Sequence, residues 1–89
     1  MPIRLIIGSY FKKYTDNEGV VTVKGRTIKE CLDDLIVRHP ALKDHIFNKN
    51  GDLVGLVTLS GEIKSPEKVL SKNVSDGDTI HILPAAGGG

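Results

Sequence analysis

The clearest periodic pattern of apolar residues lies in the middle of the chain, between Thr27 and Pro40. Apolar side chains recur there at helical spacing: Ile28, Cys31, Leu32, Leu35 and Ile36. This spacing places them on one face of an α-helix. Thr27 with Glu30 three residues later forms a capping box, which is typical of a helix start. Pro40 disfavours helical geometry at the residue before it, so the sequence predicts one amphipathic helix that ends near His39.

Short apolar segments bounded by turn residues precede and follow this helix. Residues 3–8 and 20–25 predict two strands joined by a polar loop. After the helix, residues 53–62 predict a third strand, and residues 63–74 hold a short edge segment. The final strand begins after the turn at Asp76-Gly77 and ends at Pro84. The first and last strands are both rich in Ile and Leu, so they are the natural central pair.

A single amphipathic helix can bury its apolar stripe only against one face of one sheet. The sequence therefore predicts an α+β fold, in which a mixed four- to five-stranded sheet carries one main helix across one face. We expect residues 1–84 to form the folded domain and residues 85–89 to form a flexible glycine-rich tail.

The face of the sheet without a helix should show apolar residues alternating with polar ones. The strand segments instead carry apolar residues at both alternate sets of positions. An uncovered apolar face would be a surface for docking a partner, and we assign four residues to it: Ile6, Val57, Leu59 and Leu83. Two alternatives stay open, since loops could cover these residues, or isolated exposed apolar side chains could have no function.

The composition excludes several classes of protein. The chain has 89 residues, enough for one domain, and a net charge of +1 with basic and acidic residues interspersed. It therefore lacks the basic surface expected for binding nucleic acid or an anionic membrane. We expect no signal peptide and no membrane span, so the predicted location is the cytoplasm. A single cysteine excludes an internal disulfide and a cysteine-based zinc or iron–sulfur site.

The reactive side chains do not form a catalytic group. Cys31 lies within the apolar stripe, where free cysteine usually acts as a small buried hydrophobe. Asp33 and Asp34 are adjacent on the predicted helix, so they point in different directions. The three histidines do not share a metal-binding spacing: His39, His45 and His81. We therefore predict no catalytic residue, no metal site and no bound cofactor.

The glycine-rich segment at the end of the sequence has no role in a core, because glycine has no side chain to bury. From Pro84 to Gly89 an extended chain reaches about 20 Å, which is enough to thread a narrow channel in another protein. A carboxylate presented there could be activated as a mixed anhydride with AMP, and a sulfur donor could then displace AMP to leave a thiocarboxylate. The alternative is that the glycines are a frayed end or a cloning remnant.

The segment "VSDGDTIHILPAAGGG" resembles the MoaD/ThiS sulfur-carrier family, whose members are ubiquitin-like β-grasp proteins. The loop, second strand and capped helix over residues 10–42 are also similar to that family, as is "SGEI" after the third strand. One departure is the extra glycine at position 87, because family members usually end in two glycines that follow another residue type.

The resemblance implies that Gly89 is adenylated and thiocarboxylated, with ATP used by the activating enzyme. The residues that would thread the channel of the partner are Pro84, Ala85, Ala86, Gly87 and Gly88. The implied partners are a ubiquitin-activating-type adenylyltransferase and a sulfur acceptor. The resemblance favours the large subunit of molybdopterin synthase as acceptor, with thiazole synthase or a cysteine-forming sulfhydrylase as alternatives.

Two other functions remain open from the sequence. A protein modifier would join Gly89 to lysines of target proteins through an isopeptide bond, after the same activation. A non-covalent β-grasp interaction module would not need the terminal glycines at all.

Overall fold

The computed structural model describes residues 3–59, 62–63 and 69–83. Within these ranges, five strands form one sheet in the order β2-β1-β5-β3-β4. The strands are β1 (Ile3–Ile7), β2 (Val20–Val23), β3 (Leu56–Leu59), β4 (Glu62–Ile63) and β5 (Thr79–Leu83). The helices described include α1 (Ile28–Arg38), α2 (Lys43–Ile46) and the 3₁₀ helices Ser9–Tyr14 and Pro40–Leu42.

The first and last strands form the centre of the sheet, as predicted. They run parallel, with Leu5 opposite Ile80 and Ile7 opposite Ile82. The pairs β1–β2 and β3–β5 are antiparallel, so the sheet is mixed. The predicted α+β architecture, with the main helix on one face of a mixed sheet, is confirmed.

Helix α1 begins and ends where the sequence predicts. The Thr27 hydroxyl accepts a hydrogen bond from the Glu30 amide at 3.2 Å. The Glu30 carboxylate accepts one from the amide of Arg26 at 2.9 Å, which satisfies a backbone donor just before the helix. The helix ends at His39, whose amide donates to the Leu35 carbonyl at 2.9 Å.

The apolar stripe of α1 packs on the sheet face formed by alternate residues of the strands. Four side chains of the stripe are fully buried: Ile28, Cys31, Leu32 and Leu35. The opposing side chains of the sheet are also in the core: Ile3, Leu5, Ile7, Val21, Val23, Ile80 and Ile82. Burial of a side chain of this size stabilises the fold by about 1.5–3 kcal/mol, so this interface is the main source of stability.

The predicted uncovered face is wrong for two of its four residues. Val57 lies opposite Ile82 and Leu59 opposite Ile80, so both share the helix-covered face, where they are 2% and 8% exposed. Ile6 and Leu83 do lie on the other face of the sheet. The error arose because residues 53–59 are apolar at both alternate sets of positions, so the pattern alone does not show which set faces the helix.

Two segments differ from the sequence-based expectation. The loop after β1 contains the 3₁₀ helix Ser9–Tyr14, whose Phe11 is fully packed in the core. The third strand begins only at Leu56. Before it, Leu53 forms an isolated bridge with Phe47, and the Val54 amide donates to the Ile46 carbonyl at 2.8 Å.

Helix α1 also protects the outer edge of the sheet at β2. The Arg38 guanidinium donates to the Thr22 carbonyl at 2.6 Å, and the Asp34 carboxylate accepts from the Lys24 amide at 2.9 Å. Arg38 and Asp34 also contact each other at 3.3 Å. Open backbone groups at a sheet edge invite pairing with another chain, and here two charged side chains occupy some of these groups.

We therefore expect Arg38→Ala to lower the free energy of unfolding by about 1 kcal/mol, since a charge-assisted bond to a backbone carbonyl is lost. Lys29→Ala is the matched control, because Lys29 forms an ion pair of the same spacing with Asp33 in a more exposed position. Its loss should cost only about 0.2–0.5 kcal/mol. Urea unfolding measures both values, and equal losses would contradict a role for Arg38 at the edge.

Candidate functional site

The candidate site is the C-terminal end of β5 together with the sheet face beside it. Leu83 is the last residue described here. The predicted modification at Gly89, the path of residues 84–88 and the boundary between domain and tail lie outside the described residues, and they stay predictions. The structure shows where this segment starts, which is at the end of a central strand.

The end of β5 has backbone neighbours on both sides. On one side the Gly8 amide donates to the Ile82 carbonyl at 2.9 Å. On the other side Leu83 lies opposite Leu56 of β3. The last described residue of β5 is therefore held within the sheet and not at a frayed edge.

The sheet surface opposite α1, which we call the open face, crosses four strands beside this end. A row across it follows from the strand register, with Val20 opposite Ile6, Ile6 opposite His81, and His81 opposite Thr58. Val20 is 49% exposed and Leu83 is 36% exposed. This row thus combines apolar side chains with one imidazole and one hydroxyl, and the adjacent row of the open face places Arg4 between Thr22 and Thr79.

Sequence reasoning missed Val20 as a member of this face. The signal was present, because an antiparallel hairpin that places Val21 and Val23 with the core must turn Val20 to the other side. His81 also lies on the open face, because it alternates along β5 with the buried Ile80 and Ile82. Whether Ile6 and Leu83 dock a partner stays a prediction.

Cys31 is chemically protected. Its side chain has no solvent exposure, and burial raises the pKa of the thiol to about 11, with the nearby carboxylates of Asp34 and Glu30 adding to the effect. The nucleophilic form of cysteine is the thiolate. Cys31 is therefore a protonated core residue at neutral pH.

The histidines lie apart, in different elements. His39 ends α1, His45 stacks on Tyr14 with ring centroids 4.2 Å apart, and His81 lies in β5. Among the described residues, no group of three or more His, Cys, Asp or Glu side chains could hold a metal ion. The same part of the chain has no helix with the length and apolar character to cross a membrane.

Leu59 lies on the helix-covered face of the sheet and Leu83 on the open face, so a charged substitution should affect stability differently at the two positions. Leu59→Asp places a carboxylate in the core, and we expect it to lower the free energy of unfolding by about 3–5 kcal/mol. Leu83→Asp changes a side chain on the open face and should cost about 1 kcal/mol or less. Urea denaturation distinguishes them, and similar losses for the two variants would contradict the assigned faces.

Comparisons with known proteins were consistent with this geometry. The ThiS family model matches residues 5–89. No curated protein sequence matches the chain significantly. A chain in the crystal structure of the BexX/CysO complex of Amycolatopsis orientalis is 32% identical, with a TM-score of 0.84 and coverage of 98% of this chain and 99% of that one.

Two further structures share the fold at lower identity. The small archaeal modifier protein 1 of Methanosarcina acetivorans is 22% identical, with a TM-score of 0.85 and coverage of 98% of this chain and 95% of that chain. A chain in the complex of subunits 1 and 2 of the molybdopterin-converting factor of Helicobacter pylori is also 22% identical. Its TM-score is 0.63, and both chains are covered completely. The predicted ubiquitin-like β-grasp fold is confirmed.

Proposed function

This chain belongs to the ThiS family, and we propose that it is a sulfur carrier that is adenylated and then thiocarboxylated at Gly89. The observation that carries the proposal is the extent of the family match. It runs from residue 5 through residue 89, so it includes the glycine segment as well as the sheet. The central position of β5 supports the proposal, because the segment that follows Leu83 starts from a rigid part of the molecule.

The proposed chemistry consists of two substitutions. A carboxylate oxygen of Gly89 attacks the α-phosphorus of ATP, the bond from that phosphorus to the bridging oxygen breaks, and pyrophosphate leaves. Hydrosulfide, or an equivalent sulfur nucleophile, then attacks the carbonyl carbon of the acyl adenylate. The bond from this carbon to the AMP oxygen breaks, AMP leaves with the electron pair, and the sulfhydryl proton goes to solvent.

In these steps the carrier supplies a terminal carboxylate that the active site of another protein can reach. Its one thiol is buried and protonated, so we assign the catalytic groups to an activating enzyme, a ubiquitin-activating-type adenylyltransferase that binds and uses ATP. Glycine at positions 87–89 would let the tail enter a narrow channel, because no side chain adds to its width.

A protein partner for sulfur transfer is supported by two of the similar structures. One was solved as the BexX/CysO complex and the other as a complex of subunits 1 and 2 of the molybdopterin-converting factor. We propose that this chain donates sulfur to an acceptor enzyme in a comparable complex. The large subunit of molybdopterin synthase remains our first candidate, and thiazole synthase and a cysteine-forming sulfhydrylase are the alternatives.

A second candidate function is protein modification through an isopeptide bond from Gly89. The specific observation that favours it is the fold shared with the small archaeal modifier protein 1. The activation step is common to both functions, so the product distinguishes them: a free thiocarboxylate in one case, and a conjugate with a lysine of another protein in the other.

The activation is tested with the purified protein, a ubiquitin-activating-type adenylyltransferase of the same organism, ATP and sulfide. We expect the intact mass to increase by the exchange of one oxygen for sulfur. Deletion of Gly88 and Gly89 should abolish the exchange while the circular dichroism spectrum and the melting temperature stay unchanged. If the unchanged protein, like the deletion variant, gains neither sulfur nor AMP, the third function is favoured, in which the chain is a non-covalent β-grasp interaction module.

The open face is tested for docking with two exposed valines. Val20 is on the open face and is 49% exposed, whereas Val37 is on the solvent side of α1 and is 77% exposed. We expect Val20→Asp to weaken binding of the adenylyltransferase by about fivefold or more, because it places a charge within an apolar contact. Val37→Asp should bind as the unchanged protein does. Equal affinities, measured by calorimetry, would show that the enzyme docks elsewhere.

A further inference from the structure

Two glycines lie on either side of the end of β5, each next to one of the strands that pair with it. Gly8 follows β1, and Gly55 precedes β3. These are the strands on either side of β5 in the sheet. At each of the two positions, a single added carbon atom would press on Ile82 or Leu83.

Gly8 approaches from the open face. A Cβ atom there would lie 3.0 Å from the Ile82 carbonyl oxygen and 3.1 Å from Cδ2 of Leu83. The backbone at Gly8 has φ −60° and ψ 148°, which any residue can adopt. Glycine is therefore favoured at this position because a side chain would crowd Ile82 and Leu83, and not because the backbone needs the conformational freedom of glycine.

Gly55 approaches from the other face. A Cβ atom there would lie 3.2 Å from the Leu83 carbonyl oxygen, and 3.8 and 3.9 Å from side-chain carbons of Ile82. Because Ile82 is a fully buried core residue, this added carbon would be on the helix-covered side. The two glycines thus bracket the end of β5 from two strands and two faces.

We propose that Gly8 and Gly55 are positioning residues that fix the place and direction of Leu83, and so the path by which residues 84–89 reach the active site of the activating enzyme. The consequence for activation rests on the proposed function, whereas the effect on Leu83 does not. A tail held in a channel transmits a shift at its base to its reacting end. A misplacement of about 1 Å at the reacting atoms can cost about a hundredfold in rate.

Gly8→Ala and Gly55→Ala are the test variants, and the chain offers two controls. Gly19→Ala adds the same methyl group where the nearest atom, Cε of Lys12, is 3.9 Å away. Ile28→Val lowers stability at a fully buried position of α1 that is not among the nearest neighbours of either glycine. Gly55→Ala is the more informative test variant, because its methyl group is on the covered face and does not reach a partner docked on the open face.

Two measurements follow. In the free proteins, we expect backbone amide chemical shifts at Ile82, Leu83 and Ala85 to change in both test variants and to stay unchanged in Gly19→Ala. In ATP–pyrophosphate exchange with the adenylyltransferase, we expect both test variants to lose about tenfold in kcat. The KM for the carrier should stay within about twofold for Gly55→Ala, since docking is unaffected.

The possible outcomes separate this inference from the proposed function. The positioning role is overturned if the test variants have the same kcat as Gly19→Ala. It is also overturned if their loss of kcat is no larger than that of Ile28→Val, when the variants have the same melting temperature. If the unchanged protein supports no exchange, the proposed function fails. In that case, the chemical shifts still decide whether the two glycines position Leu83.

Discussion

The parallel pairing of β1 with β5 is the constraint on which the rest of the structure depends. It joins the first and last strands of the chain, and its central side chains, Leu5 and Ile80, have no solvent exposure. Parallel neighbours require a long connection between them, and the segment between these two strands includes α1, the helix that covers one face of the pair. Strands β2 and β3 then add on the outer sides, so β5 lies inside the sheet.

This arrangement makes the end of β5 a fixed point from which the C-terminal segment starts. Backbone on both sides contacts it, and at Gly8 and Gly55 an added side chain would force Ile82 or Leu83 to shift by a few tenths of an ångström. The open face lies directly beside it, with Ile6 and His81 in adjacent strands. A partner that docks on this face would therefore find the start of the tail at a defined position, which is the property that a carrier needs.

The helix and the central strand pair could be predicted from the sequence because their signals are local or strongly apolar. The capping box at Thr27 and Glu30, the stripe of α1 and the break at Pro40 each act within a few residues. The faces of β3 could not be assigned in this way, because Val57 and Leu59 gain their orientation from the register with β5, a contact between distant parts of the chain.

The same limit applies to the loop after β1 and to the glycines. A polar segment with one buried aromatic residue, Phe11, gives no periodic signal, so its 3₁₀ helix was missed. Gly8 was correctly placed at the end of the first strand, but its contact with Leu83 depends on the three-dimensional arrangement of β1 and β5. The candidate modification site, by contrast, was suggested by the glycines themselves and by their likeness to a known family.

The most direct test of the account is the intact mass of the protein purified from its native host, with sequencing of its C-terminal peptide. We predict a fraction in which one oxygen of the Gly89 carboxylate is replaced by sulfur, which would establish the carrier function and the mature end together. A C-terminal peptide found only with its ordinary carboxylate, in cells where the activating enzyme is present and active, would contradict the account.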